Sequence, residues 1–258
     1  TDPVGQMTLV VSAQNPLMLH NLNLSAQWNL EGDAGYKAAL RDNLIRASKE
    51  FYDFTNGQMA LGTVTVRQNY EGWDDADVWL FANNNLRPEA DIGGTVKNET
   101  VDPFWDGSGD KHKLVYEPGR AYMGSTWNRF GLPGEQISVT TPLSGTVDTS
   151  GDWAAVLAHE LGHYFLFLDD TYFRYRNDFV IENVYSCTGS AMGWVYFDEN
   201  TEFVHDDAHW TNNCLHTSHN DQLQRTEWAT MKLWYPWLAS PVDNPGPNIL
   251  PATLTTVN

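Results

Sequence analysis

The chain has 258 residues, 41% apolar and 13% aromatic, with a formal net charge of −18 from 15 basic and 33 acidic residues. That length carries one large domain or two small ones, with a sizeable core. The acidic excess excludes the Lys/Arg stripes of a nucleic-acid binder and repels anionic membrane surfaces, the aromatic content argues against disorder, and no apolar run approaches the ~18 residues of a membrane span.

The elements follow in chain order. Residues 7–12 read as a strand. From Asp33 the period changes: Leu40, Leu44, Ala47, Phe51 and Phe54 recur at spacings of four and three, one apolar face of a helix capped by Asp33 and stopped at Gly57. Residues 59–66 and 76–82, rich in β-branched and aromatic side chains, read as strands. This strand–helix–strand–strand opening predicts a mixed sheet with a crossover helix. Residues 83–120 are rich in Asn, Asp, Gly and Pro and read as one long loop. Short strands follow at 121–125, an expected edge strand, and at 137–141. Residues 149–152 signal the start of a helix near Trp153 that is apolar nearly all round, which places it in the middle of a domain. Residues 198–221 read as polar loop, 227–237 as a final helix, and the Pro-rich stretch from Ser240 as a linker.

Chemistry concentrates inside the apolar helix, in His159-Glu160-Leu161-Gly162-His163. Two His four apart share a helix face, so both imidazoles can bind one Zn²⁺, and Glu160 can reach a water beside it. Burying His, Glu and His on an apolar helix is costly unless they are paired or coordinated. A catalytic zinc takes three protein ligands and keeps one position open. Asp169 and Asp170, just past the helix, are the candidates for the third.

The run His-Glu-Leu-Gly-His-Tyr-Phe-Leu-Phe-Leu-Asp-Asp-Thr-Tyr over 159–172 resembles the metzincin-like zinc peptidases. The match is to the variant with Asp seven residues after the second His and Tyr two later. That variant occurs in the protease domains of the chloride-channel-regulator family and related secreted bacterial peptidases. The resemblance favours Asp170 as third ligand and puts Tyr172 at the Tyr position; the other register selects Asp169. The chain departs from these patterns at Leu166 and Phe167, where Gly is usual, and at Thr171, where Glu is usual. Ser190-Ala191-Met192-Gly193 resembles the Met-turn, whose Met192 would pack under the ligand imidazoles. The resemblance implies an α+β fold: a metzincin-like mixed twisted sheet with a crossover helix and a central zinc-binding helix, then an irregular C-terminal subdomain. The catalytic domain is expected over 1–236, split near 168, with 237–258 as tail.

The implied activity is that of a zinc-dependent endopeptidase on protein or peptide substrates, with Glu160 as general base. Tyr196 is a candidate donor to the transition state, Trp194 and Phe197 are candidate pocket walls, and the strand at 121–125 would bind substrate as an added strand. The second reading is a catalytically silent zincin serving as an extracellular protein- or glycan-binding module; an intact Glu160 speaks against it. A Ser or Cys hydrolase lacks its Gly-x-Ser-x-Gly elbow here. Residues 106–110 with Glu117 partly match a calcium loop, but Lys111 stands where the sharp-turn Gly belongs. His205, His209, His216 and His219 read as solvated loop histidines. Cys187 and Cys214 flank the Met-turn segment, and the sequence leaves open whether they pair. The acidic, Lys-poor, Trp-rich composition and the first residue, which is not Met, fit a secreted piece of a longer multidomain chain.

Overall fold

A computed structural model describes residues 11–14, 16–83, 86–100, 112–127, 152–176, 180–197, 199–239, 241 and 254–258. The fold is α+β. Its centre is a six-stranded mixed sheet in the order β10-β2-β1-β3-β7-β4. The strands are β1 (Met18–Ala26), β2 (Met59–Arg67), β3 (Val78–Phe81), β4 (Glu89–Ala90), β7 (Ala121–Gly124) and β10 (Thr256–Val257). All neighbours run parallel except β4, which pairs antiparallel with β7. Two hairpins lie outside the sheet: β5 (Gly94–Thr100) with β6 (His112–Pro118), and β8 (Phe173–Tyr175) with β9 (Ile181–Asn183).

Helix α1 (Ala34–Phe54) makes the crossover between the parallel strands β1 and β2, as its periodicity predicts. Asp33 caps it by accepting from the Tyr36 N–H at 2.8 Å. Leu40, Leu44, Ala47, Phe51 and Phe54 are all buried. Gly57, at φ 76°, turns the chain into β2. Helix α2 (Asp152–Leu166) packs on α1 and on β4 and β7. Its Trp153 Nε1–H donates to the Gly124 carbonyl at 2.8 Å, anchoring its first turn to the sheet. The C-terminal part carries three further helices, α3 (Asp207–Asn213), α4 (Ser218–Leu223) and α5 (Glu227–Trp234).

Several expectations need correction. The first strand is 18–26. Residues 7–10 lie outside the described residues, and Val11 and Ser12 are not strand. Residues 83–120 are not one loop, since β4, β5 and β6 form there. The strand at 121–124 is not at the edge, because β4 covers its outer side. Residues 198–221 contain α3 and the start of α4, each capped by a short polar side chain, Asp206 and Thr217. Residues 254–258, read as part of a linker, supply β10 against β2, and Thr255 Oγ1 donates to Ser48 Oγ on α1 at 2.7 Å. The expected strand at 137–141 and the capping signal at 149–151 lie outside the described residues. No helix among the described residues is long and apolar enough to cross a membrane.

Candidate active site

Helix α2 is buried on nearly every side, so its polar residues 159, 160 and 163 sit inside the protein. Each imidazole is oriented by a backbone carbonyl. His159 Nδ1 lies 2.8 Å from Ala191 O, and His163 Nδ1 lies 2.7 Å from Leu168 O. A carbonyl only accepts, so both Nδ1 atoms carry the hydrogen and both Nε2 atoms can present a lone pair.

Where α2 ends, Phe167 takes a left-handed φ of 60°. A non-Gly residue rarely adopts this conformation, at a cost of about 1–2 kcal/mol. Here the Phe167 ring stacks on Trp234 at 4.4 Å and fills the space over Gly93, which offsets that cost. The turn therefore forms without the Gly that the related patterns carry, and it folds the chain back under the helix.

Asp170 arrives on that turn. Its Oδ1 lies 3.2 Å from His159 Nε2 and 3.2 Å from His163 Nε2. The atom is buried with no well-directed hydrogen bond. The three side chains form a group that could hold a metal ion. Burial opposes ionisation of Asp170, but His163 and His159 outweigh it and hold the carboxyl well below the usual range. Burial also opposes protonation of His163, and Asp170 outweighs that, lifting the imidazole to about 10. Three lone pairs facing one another need a proton or a cation between them, and this donor set of two imidazoles and a carboxylate suits zinc.

Asp169 also lines the cleft but does not belong to that group. Its Oδ1 accepts from the Asp170 N–H at 2.7 Å, and Ser218 also bonds its side chain. His219 N–H donates to the Asp170 carbonyl at 2.9 Å. His219 is fully buried, contrary to the solvated-loop reading, and burial pushes its imidazole down to about 4. His209 Nε2 lies 2.9 Å from Thr188 O, and His216 is exposed.

The open cleft above these groups encloses about 350 Å³. Glu160 lines it, buried, with an Oε2 that has no hydrogen-bond partner. Burial pushes the Glu160 carboxyl up, against the pull of His159 and His163. Trp194 and Tyr196 line the cleft as expected. Tyr196 Oη accepts from Trp127 Nε1 at 2.8 Å. Phe197 does not line it and is exposed. The edge strand beside the cleft is β4, through Glu89 and Ala90. The calcium reading gains no support: residues 106–110 lie outside the described residues, and Glu117 is exposed on β6.

Met192 is fully buried, and a Cβ on Gly162 would come within 2.6 Å of its sulfur. Met192 thus packs on α2 between the two histidines in sequence, at a position that only Gly leaves open. A disulfide joins Cys187 and Cys214, so both cysteines are paired.

Sequence reasoning missed two residues. Arg87 donates from Nη2 to Tyr172 Oη at 2.6 Å and lies over the Tyr172 ring at the cleft wall. Tyr172 in turn hydrogen-bonds Asp170. Glu227, buried at the start of α5, accepts from Ser190 and from the Val204 N–H. Burial pushes its carboxyl up to about 7, with both hydrogen bonds pulling the other way. Neither residue has a local motif that marks it.

Residues 113–180 match the model of Peptidase family M48. The matched segment includes His159, Glu160, His163 and Asp170, and it supports a zinc metallopeptidase. The matched family is not the metzincin-like group that the sequence resembles. No curated protein and no solved structure matches the chain.

Proposed function

We propose that the protein is a zinc-dependent endopeptidase, with His159, His163 and Asp170 as the metal ligands and Glu160 as the general base. One observation carries this reading: one ligand atom each from His159, His163 and Asp170 lie within 4.8 Å of one another beneath an open cleft that Glu160 also lines. Zinc held there supplies Lewis acidity, polarising a scissile carbonyl and making water acidic near neutral pH. The chain's own groups do the rest. Carbonyls 191 and 168 keep the ligand imidazoles in the Nδ1–H form. Glu160, raised by burial, takes a proton from the attacking water and passes it to the leaving amine. Arg87 and Tyr172 put polar hydrogens on the cleft wall next to Asp170. The exposed side of β4 takes the substrate backbone as an added strand, the role expected at first for 121–125. Trp194 and Tyr196 wall the pocket.

Within the zinc peptidases we favour a metzincin-like layout, supported by Met192 packed against Gly162 and by a carboxylate as third donor. A secreted location agrees with the Cys187–Cys214 disulfide. The test is metal analysis together with cleavage of a diverse peptide library by the parent and by Glu160→Ala. Zinc in both proteins and cleavage by the parent alone are expected. A zinc-free parent, or an equally active variant, overturns the reading.

A further inference from the structure

Glu227 is fully buried yet lies outside the cleft lining. An ionised carboxylate so placed must be satisfied by donors, because a buried unpaired charge costs several kcal/mol. Two donors meet it. Val204 N–H reaches Oε2 at 2.6 Å, and Ser190 Oγ reaches Oε1 at 2.5 Å.

The second bond sets the direction of a longer chain. Ser190 Oγ is the donor in that bond, so its single proton is spent on Glu227. Ser190 Oγ then accepts from the Met192 N–H at 3.1 Å, and from Thr171 Oγ1, 2.8 Å away. Thr171 directly follows Asp170, and its N–H donates to the Met192 carbonyl at 2.9 Å. Between Ser190 and Met192 stands Ala191, whose carbonyl orients His159. One carboxylate on α5 therefore ends a hydrogen-bond chain that ties together the segment bearing Asp170, the turn carrying Met192 and the carbonyl that aims His159.

We propose that Glu227 is a positioning residue for the metal site, holding Asp170 and His159 at the spacing that lets them share one cation. This rests on the zinc reading above. The role is separate from mere core filling, because α5 could bury an apolar side chain there at less electrostatic cost.

Three full-length proteins test it: the parent, Thr171→Val and Glu227→Gln. Thr171→Val removes the one hydroxyl that links the Asp170 segment to Ser190, and buries no new charge. Glu227→Gln can keep both contacts, with Oε1 accepting from Val204 and Nε2 donating to Ser190, so it guards against simple misfolding. The readouts are zinc affinity by chelator competition, the absorption spectrum of the cobalt-substituted protein, and thermal unfolding. Thr171→Val should bind zinc roughly 10-fold more weakly or worse, the range usual for groups that orient ligands, with a shifted cobalt spectrum. Glu227→Gln should fall between it and the parent. Parent-like zinc affinity and an unchanged cobalt spectrum in both variants, whatever their stability, overturn the positioning role. A parent that binds no zinc overturns the zinc reading itself, and this proposal with it.

Discussion

Lowering the pH should destabilise this protein through a histidine that does not line the cleft. His20 is on β1, only 7% exposed, with its ring stacked on Phe165 at 4.3 Å and met edge-on by Phe51 and Tyr235. Its Nε2 is buried without a hydrogen-bond partner. Burial pushes the imidazole from 6.5 down to about 4. The unfolded chain thus takes up this proton first as the pH falls, so the stability tied to neutral His20 is complete above about 6.5 and is lost on the way down to 4. At 1.36 kcal/mol per pH unit, the full loss is about 3 kcal/mol, of which about 2 kcal/mol is gone at pH 5. His20→Phe keeps a ring in the same stack and removes the titration. Urea unfolding of parent and variant at pH 7.5 and pH 5 reads the effect. Any other group that changes protonation between these two pH values does so in both proteins and cancels in the comparison. The parent should lose about 2 kcal/mol more than the variant over that range. An equal loss in the two proteins would refute the assignment of acid lability to His20.

Other perturbations have equally definite outcomes. Glu160→Gln should keep parent-like zinc binding and lose roughly 10²- to 10⁴-fold in kcat; steady-state kinetics beside metal analysis decides it, and activity within a few-fold of the parent removes Glu160 from its role. Gly162→Ala would ordinarily strengthen a helix by about 1 kcal/mol. Here the new Cβ meets Met192 Sδ at 2.6 Å, so chemical unfolding should show a loss of about 1–3 kcal/mol, and a gain would mean that Met192 moves aside freely. Replacing Cys187 and Cys214 together by Ser opens a loop of sequence separation 27 and should lower stability by about 3–4 kcal/mol on the chain-entropy account, read as a shift in the urea midpoint.

What could be read directly from the sequence follows from how local each signal is. Helix α1 announces itself because its buried face recurs with helical period and Asp33 starts it. Helix α2 does so because it is largely apolar between Asp152 and Leu166 apart from residues 159, 160 and 163. Strand β1 alternates correctly, with Leu22, Leu24 and Ala26 inside, but Asn21, Asn23 and His20 are poor strand formers and mask the pattern. Helices α3 and α4 are short, and each buries only one or two side chains, so a helical period has no room to repeat. In the site, His159, Glu160 and His163 lie within one helix turn and are legible as spacing. Asp170 needs a turn that Phe167 makes in a conformation usually left to Gly. Arg87 and Glu227 reach the site only through the tertiary fold, across separations of 85 residues to Tyr172 and 37 to Ser190. The Thr at 171 looks in sequence like the loss of an expected Glu. In the fold its hydroxyl lies on the Ser190 oxygen that donates to Glu227, so a carboxylate is still present, supplied from α5.

The same connectivity gives the disulfide a position in the site as well as in the stability of the chain. Cys187 precedes the turn that holds Ser190 and Met192. Cys214 precedes Thr217, which caps α4 and donates to the Cys214 carbonyl at 2.8 Å. From α4, His219 N–H holds the Asp170 carbonyl, and Ser218 holds the Asp169 side chain. The segment bearing Asp170 is therefore braced twice, by the turn through Thr171 and by α4 through His219, and the cross-link joins the two braces to each other. Trp210 packs in the same small cluster as both cysteines and meets the His219 ring edge-on at 5.4 Å, so the link is filled as well as bonded. For the two imidazoles the helix itself sets the spacing, and the carbonyls of Ala191 and Leu168 orient the rings. The carboxylate has no such template. Its position depends on hydrogen bonds and a cross-link contributed by residues 187–227, which is why the C-terminal part belongs to the chemistry of the site and not only to its packing.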